Sequence, residues 1–344
     1  MEQGIRPTIA DVAKIAGVSI ATVSRVVNGK EFVRETTRQR VLAAIKTLNY
    51  TPNIAARELN TQISTNIGVV VPSVHNMFFA EVIDGIEDYL RHYSYSLLLN
   101  CAGNDPKQEM ECIKAFLSRN VCGIIIISPN TAGIIEKFYR EIVNRVPLVF
   151  INGYYHIRGA CYVNNDEAMG TEEALNYLFG LNHEKILFVR GTNSDSYEIK
   201  EVTYRRIMKD KGLELEKYIL NIGEGNSNET VDNTTRQLVE FLPTSDVTAI
   251  FCCNDLMGVG AINACKRLQL SIPKDISIVG FDNISISHFI EPHLTTVDQN
   301  MFYLGSNAAE VLVSNISSNK PKHVTLYNSI IERESTGLAP TKNY

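Results

Sequence analysis

Thr8-Ile9-Ala10-Asp11-Val12-Ala13-Lys14-Ile15-Ala16-Gly17-Val18-Ser19, continued by Ile20-Ala21-Thr22-Val23-Ser24-Arg25-Val26-Val27-Asn28-Gly29, is the stretch that decides how this chain is read. Thr8 can cap a first helix, with Asp11 in its first turn, where a carboxylate suits the positive helix end. Ile9, Val12, Ala13 and Ala16 fall on one face at helical spacing. Gly17 supplies the left-handed residue that stops this helix, and Val18 anchors the turn. Ser19 caps a second helix whose inner face is Val23, Val26 and Val27 and which ends at Asn28-Gly29. Its outer face carries Ile20, Ala21, Thr22, Ser24 and Arg25. Small, hydroxylated and cationic side chains make a poor core and a good surface for base edges and phosphates. Turn geometry alone also fits an ordinary helical hairpin with a solvated face.

The continuation narrows the choice. Glu35 to Leu48 carries Val41, Leu42, Ala44, Ile45 and Leu48, a third helix able to close a small bundle. After Asn49-Tyr50-Thr51-Pro52-Asn53 comes Ile54-Ala55-Ala56-Arg57-Glu58-Leu59, too short to be stable alone, ending in a leucine that nothing local buries. Residues 1–60 hold nine Lys or Arg against five Asp or Glu, a net +4, while the remainder holds 24 against 33, a net −9. A basic head on an acidic body suits a protein that meets phosphate through one end. Arg6, Lys14, Arg25, Lys30, Arg34, Arg38 and Arg57 are the candidate cations, several of them also readable as ordinary solvated charges.

Length, 344 residues with 44% hydrophobic content, is ample for more than one domain. No apolar run reaches the roughly 18 residues needed to span a bilayer, and the polar N-terminus has no signal-peptide core. These features lead us to expect a cytoplasmic protein. The seven cysteines are scattered and form no CxxC pair, so they read as buried thiols, not as a disulfide frame or metal site.

From Ile63 onward short apolar runs alternate with amphipathic helices. Ile67–Val71, Ser96–Leu99, Gly123–Ile127 and Leu148–Ile151 read as buried parallel strands, separated by helices near 78–92, 105–119 and 131–144. The theme restarts at Ile186–Arg190, Tyr218–Ile222, Ala249–Cys252 and Ile276–Gly280. Two doubly wound α/β sheets in tandem are expected. No G-x-G-x-x-G opens either half, so a dinucleotide site has no support, and no other cofactor or metal is expected.

Ile9-Ala10-Asp11-Val12-Ala13, the run Gly17-Val18-Ser19-x-x-Thr22-Val23-Ser24-Arg25-Val26-Val27-Asn28, and Tyr50-x-Pro52-Asn53-x-x-Ala56-Arg57-x-Leu59 resemble the lactose/galactose repressor family of bacterial transcription regulators. The resemblance continues more weakly over nearly the whole chain. It implies a helix-turn-helix domain with a hinge helix (about 53–59) over residues 1–60, then a periplasmic-binding-protein-like core over 61–340. It places subdomain 1 at about 63–160 and 292–320, subdomain 2 at about 161–291 and 321–338, with three chain crossings. The DNA-contacting set it implies is Thr8, Ser19, Ile20, Ala21, Thr22, Ser24, Arg25 and Asn28, joined by Asn53, Ala56, Arg57 and Leu59 from the hinge. Leu59 of each subunit would wedge into the minor groove of a palindromic operator.

Ligands of open α/β sheets sit at the carboxyl ends of strands. Those ends carry Asn76, Phe78 and Phe79 after the first strand, Asn152 after the fourth, then Arg190, Asn254 with Asp255, and Asp282. Carboxamides and carboxylates there can hold vicinal hydroxyls, and aromatics can stack on a sugar or a base. Phe78 and Phe79 are also readable as core, and Asp255 as a helix cap. The family usually has an effector-gripping arginine where Lys200 stands and glycine where Thr203 stands; lysine lacks the planar fork, so Lys200 reads either as an effector contact or as a solvated lysine with no ligand role, and Arg190 is a substitute candidate. The implied protein is a homodimer or tetramer that represses a carbohydrate-utilisation operon under control of a small, sugar-like effector. The alternative is a catabolite-control-type regulator with a phospho-carrier protein or sugar phosphate as corepressor. A sugar-binding transport protein is opposed by the head and the missing signal peptide. An enzyme is opposed by scattered histidines without any Ser/His/Asp, HExxH, GxSxG or P-loop pattern. His183, in Leu181-Asn182-His183-Glu184-Lys185 before a strand, reads as structural.

Overall fold

A computed structural model describes residues 7–29, 33–51, 64–129, 136–213, 216–227 and 229–340. It divides into two units, Met1–Ile63 and Ser64–Tyr344.

The head contains α1 (Ile9–Ala16), α2 (Ile20–Val27) and α3 (Glu35–Leu48). The Asp11 carboxylate accepts from the Thr8 backbone N–H at 2.8 Å and from its hydroxyl at 2.7 Å, while Thr8 Oγ1 accepts from the Asp11 N–H. The first turn is thereby closed reciprocally. Gly17, at φ 63, ends α1 in a conformation that a Cβ would strain. Ser19 caps α2 by accepting from the Thr22 N–H. Val12, Val23 and Val41, one from each helix, are fully buried and form the head core with Ala13, Ala16, Val26 and Ala44. Leu42, expected in the closing face, is instead 45% exposed. Positions 41, 44, 45 and 48 already complete the i, i+3, i+4, i+7 stripe, and 42 falls off it.

The second unit has two lobes. Lobe 1 holds a parallel sheet in the order β11-β5-β4-β3-β1-β2, with β1 (Asn66–Val71), β2 (Ser96–Cys101), β3 (Gly123–Ile127), β4 (Leu148–Ile151), β5 (Cys161–Asn165) and β11 (His323–Leu326). Its helices are α4 (Met77–His92), α5 (Pro106–Ser118), α6 (Glu136–Val143) and α11 (Met301–Ser318). Lobe 2 has the order β12-β10-β9-β8-β6-β7: β6 (Ile186–Arg190), β7 (Ile219–Asn221), β8 (Ala249–Cys252), β9 (Ser277–Asp282), β10 (Thr295–Asp298) and β12 (Ser329–Ile331), the last antiparallel. Its helices are α7 (Glu167–Gly180), α8 (Asp195–Asp210), α9 (Thr230–Phe241) and α10 (Asp255–Arg267). Strands β3, β4, β8 and β9 are buried along their whole length, which is why they read as continuous apolar runs. The helix α11 returns to lobe 1 and packs on α4 at a pair of glycines. A Cβ on Gly85 would lie 2.0 Å from the Phe302 carbonyl oxygen, and one on Gly305 2.0 Å from that of Val82.

The expected subdomain boundaries shift by one strand at each crossing. Cys161–Asn165, expected to open the second half, is the fifth strand of the first sheet. Thr295–Asp298, expected with the first half, pairs in the second sheet. His323–Leu326 pairs with β5 in the first, leaving β12 alone to close the second. An apolar run that forms a parallel strand looks the same in either sheet, so periodicity carries no information on which sheet it joins. The chain passes between lobes after Asn165, after Asp298 and after Leu326.

Candidate functional site

The head presents α2 outward. Ile20 is 51% exposed, Ala21 and Arg25 are exposed, and Val23 and Val26 behind them are buried. Thr22 and Ser24 are half-buried: Thr22 Oγ1 bonds Ser19 Oγ at 2.9 Å, and the Asn28 amide donates to the Ser24 carbonyl and hydroxyl. Thr8 and Ser19 are exposed but engaged as caps. An apolar residue, a small residue and a cation standing free on one helical surface, on a frame locked by caps, form an element able to enter a major groove. Asn53, Ala56, Arg57 and Leu59 lie outside the described residues, as do Arg6 and Lys30.

In the body, a cavity of about 520 Å³ lies between the lobes. Lobe 1 lines it with Asn76, Phe78, Phe79, Asn104, Ser128 and Asn152. Lobe 2 lines it with Glu167, Ser196, Tyr197, Lys200, Asn226, Asn254 and Asp282, and Gln299 joins at the second crossing. Of the expected effector residues, Asn76, Phe78, Phe79, Asn152, Lys200, Asn254 and Asp282 are brought together here, each from the carboxyl end of a strand or the helix that follows it.

Several arrive already committed. Asn76 caps α4 through Oδ1, accepting from the Phe78 N–H, and its amide donates across the cleft to Asn226 Oδ1 at 3.0 Å. Phe78 and Phe79 meet edge to face at 5.4 Å, and they serve the lobe 1 core and the cavity wall together. Asn152, at φ 50, spends Oδ1 on the Asn165 N–H. Asn254, not Asp255, caps α10, and its amide donates to Tyr197 Oη and to the Gly225 carbonyl. Asp255 sits behind the wall, accepting from Thr296 Oγ1 at 2.5 Å and the Ile284 N–H at 2.9 Å. Burial raises its carboxyl to about 7. Ile284, carried by lobe 2, is fully buried in the lobe 1 core, and Ser285 beside it donates to Glu81 of lobe 1.

Asp282 stands at the end of β9 with φ 120, a conformation that costs an L residue energy and marks a constrained position. Burial pushes its carboxyl well above the usual carboxylate range, opposed by the Lys200 ammonium. Gln299 Nε2 donates to Asp282 Oδ1 at 2.5 Å, and Gln299 Oε1 accepts from Asn165 Nδ2 at 2.9 Å. The cavity carboxyl is thus tied directly to the second crossing and, through Gln299, to the first. Lys200, expected to reach a ligand or to be solvated, does neither freely. Its ammonium donates to the Cys253 carbonyl at 3.1 Å and sits 3.8 Å from the Phe281 ring centroid and 3.8 Å from Glu167 Oε1.

Arg190 is the correction. It does not line the cavity; its guanidinium is buried against Glu198, Glu201 and the Gly191 carbonyl, where it holds α8 to β6. His183 is structural as read, its ring nitrogens bonding Thr248, Ser277 and the Gly337 carbonyl. The sequence reading missed Glu167, Asn226 and Gln299. Glu167 follows Asn164-Asn165-Asp166, the polar run that ends β5, and would have been found had that strand been counted among those whose carboxyl ends face the cleft.

Known proteins share this architecture. Residues 8–53 match the model of bacterial regulatory proteins of the lacI family, and residues 175–336 match that of a periplasmic binding protein-like domain. The HTH-type transcriptional regulator RegA of Clostridium acetobutylicum is 33% identical over 335 residues, 95% of this chain and 98% of its own. The lac repressor dimer bound to operator and the anti-inducer ONPF matches with a TM-score of 0.86 at 25% identity, covering 97% of this chain and 100% of that one. The transcriptional regulator CelR in complex with cellobiose matches with a TM-score of 0.70 at 25% identity, covering 96% and 100%. A capped recognition helix, two crossed α/β lobes and a relative similar along its whole length lead to one conclusion: this chain belongs to the lacI family of bacterial regulatory proteins, DNA-binding regulators of transcription.

Proposed function

We propose that the chain is a metabolite-controlled repressor that acts as a homodimer on a palindromic operator. The recognition helix α2 of each subunit enters one of two successive major grooves, with Ile20, Ala21 and Arg25 reading base edges. The observation that carries the reading is the cavity walled by both lobes at the carboxyl ends of their strands. Two lobes joined by three crossings are built to close on a ligand, and a ligand that favours one lobe angle shifts operator affinity by the same free energy. Carboxamides, carboxyls and two phenylalanines around a polar space suit a carbohydrate, the ligand class that CelR carries on this fold.

The test selects an operator from random palindromic DNA by fluorescence anisotropy, then repeats the titration with mono- and disaccharides. A sugar that changes operator affinity at least tenfold supports the reading. Operator binding that responds to no ligand of the cleft removes the effector from it, and absence of sequence-preferring DNA binding removes it altogether.

A further inference from the structure

His156 and His323 lie far apart in the sequence and meet on the outer edge of lobe 1, away from the cleft. Strand β11 is the edge of that sheet, and its first residue, His323, is the register partner of Tyr162 on β5. His156 comes from the loop between β4 and β5 and stacks on the same tyrosine, with ring centroids 5.8 Å apart and 19° between planes. His323 packs on Tyr162 at 5.0 Å, and the two imidazoles are 5.6 Å from each other, tilted by 49°. Tyr162 itself is buried, and its hydroxyl accepts from the Ile157 N–H at 2.5 Å and donates to the Tyr155 carbonyl at 2.9 Å. The platform under both rings is therefore fixed by the loop that carries one of them.

Both imidazoles are exposed, and among the described residues no hydrogen bond or ion pair engages either ring. Four other histidines are engaged: His183 in the lobe 2 interior, His92 on the Asp88 carbonyl, His288 on Arg333 and His293 beside Glu334. A neutral imidazole offers one lone pair and is the commonest protein ligand for transition metals. With a metal–nitrogen distance of about 2.1 Å, two imidazoles on a tetrahedral ion hold their centroids about 5 Å apart, close to the separation found here. Parallel rings cannot aim two lone pairs at one point; rings tilted by 49° can. Lys322, the neighbouring cation, is turned away onto Ser314 Oγ at 3.0 Å. No group of three metal-ligating side chains gathers among the described residues, so water completes the shell, as in open zinc sites.

We propose that His156 and His323 form a two-imidazole site for a divalent transition-metal ion of the zinc or nickel class. The ion ties β11, which leads into the third lobe crossing, to the loop that begins at the cavity residue Asn152. It braces lobe 1 from outside the cleft and is independent of what the cleft binds.

The experiment titrates zinc, nickel and magnesium calorimetrically into the full chain, free of any affinity tag and stripped with chelator, at about pH 7.5, where an ordinary imidazole is neutral. The same titrations are made in His156→Gln, His323→Gln and Cys101→Ser, the last removing the exposed thiol. One zinc or nickel ion per chain is expected, and no magnesium, which prefers oxygen ligands. Each glutamine variant should weaken binding tenfold or more, because a single imidazole loses the gain from a second ligand already in place. Cys101→Ser should leave it unchanged. Hydrogen exchange read by mass spectrometry should show β11 slowed by zinc in wild type and not in His323→Gln. Both histidines are exposed, so their variants should melt with the metal-free wild type. Absence of zinc and nickel binding, binding equally tight in both glutamine variants, binding lost in Cys101→Ser, or β11 exchange unmoved by bound zinc overturns the proposal.

Discussion

The head and the cleft pose the same problem, presenting polar groups on a rigid frame, and solve it at different ranges. In the head, Ser19, Ile20, Ala21 and Arg25 stand within two turns of one helix, and their frame is three valines and two capping hydroxyls close by in the chain. In the cleft, the residues run from Asn76 to Gln299, and several are oriented by partners outside their own element: Asn76 by Asn226, Asn254 by Tyr197, Asp282 by Gln299. A site held by local bonds can be changed one residue at a time. A site held by distant bonds is coupled to the lobe angle, which is what a regulated site requires.

The sharpest break of that comparison is Arg25→Ala. A bidentate base contact is worth about 1–3 kcal/mol, and a dimer loses it twice, so operator affinity should drop about a hundredfold or more by anisotropy. Effector affinity by calorimetry should stay unchanged; a matching drop there would mean that head and cleft are not separable. Next in size is Gly85→Ala. Its Cβ would meet the Phe302 carbonyl oxygen at 2.0 Å, so lobe 1 must spread α4 from α11. Overpacking of this kind costs about 1–3 kcal/mol or more, read as a lower core Tm with the operator contacts of the head intact.

Asp255 offers a test by pH. Its carboxyl is raised from 3.8 to about 7 by burial, so the folded state holds a proton that the unfolded chain releases. The associated stability is complete below pH 3.8 and is lost as pH rises to about 7, at up to about 1.4 kcal/mol per pH unit. Asp255→Asn should flatten urea-derived stability across that window; an unchanged slope would assign the pH dependence elsewhere. The smallest effect belongs to Thr8→Ala, which removes one cap and should lower head stability by about 1 kcal/mol while the core Tm stays put.

Much of the fold was legible because α1, α2, α3 and the buried strands declare themselves in windows of about ten residues. The site was legible to the extent that strand ends could be listed: Asn76, Asn152, Asn254 and Asp282 all reach the cavity, as does Lys200, which the family resemblance singled out. What those residues have left to offer was not. Asn254 looks in sequence like a free carboxamide and is saturated by its own helix and Tyr197. Arg190 looks like a clamp and is an internal tie. Glu167 looks like an ordinary first-turn acid of a helix and is buried in the cavity wall, bonded by Ser196 and facing Lys200.

The run from Thr8 to Gly29 by itself determined a capped helix pair with an exposed Ile20, Ala21 and Arg25, because caps, a left-handed glycine and a 3.6-residue period act between neighbours. The tertiary structure alone decided which sheet receives β5, β10 and β11, and that Lys200 is held between Glu167, the Cys253 carbonyl and Phe281. Strand partnership and burial depend on contacts between distant residues, and a buried polar group takes its meaning from the partners that folding places around it.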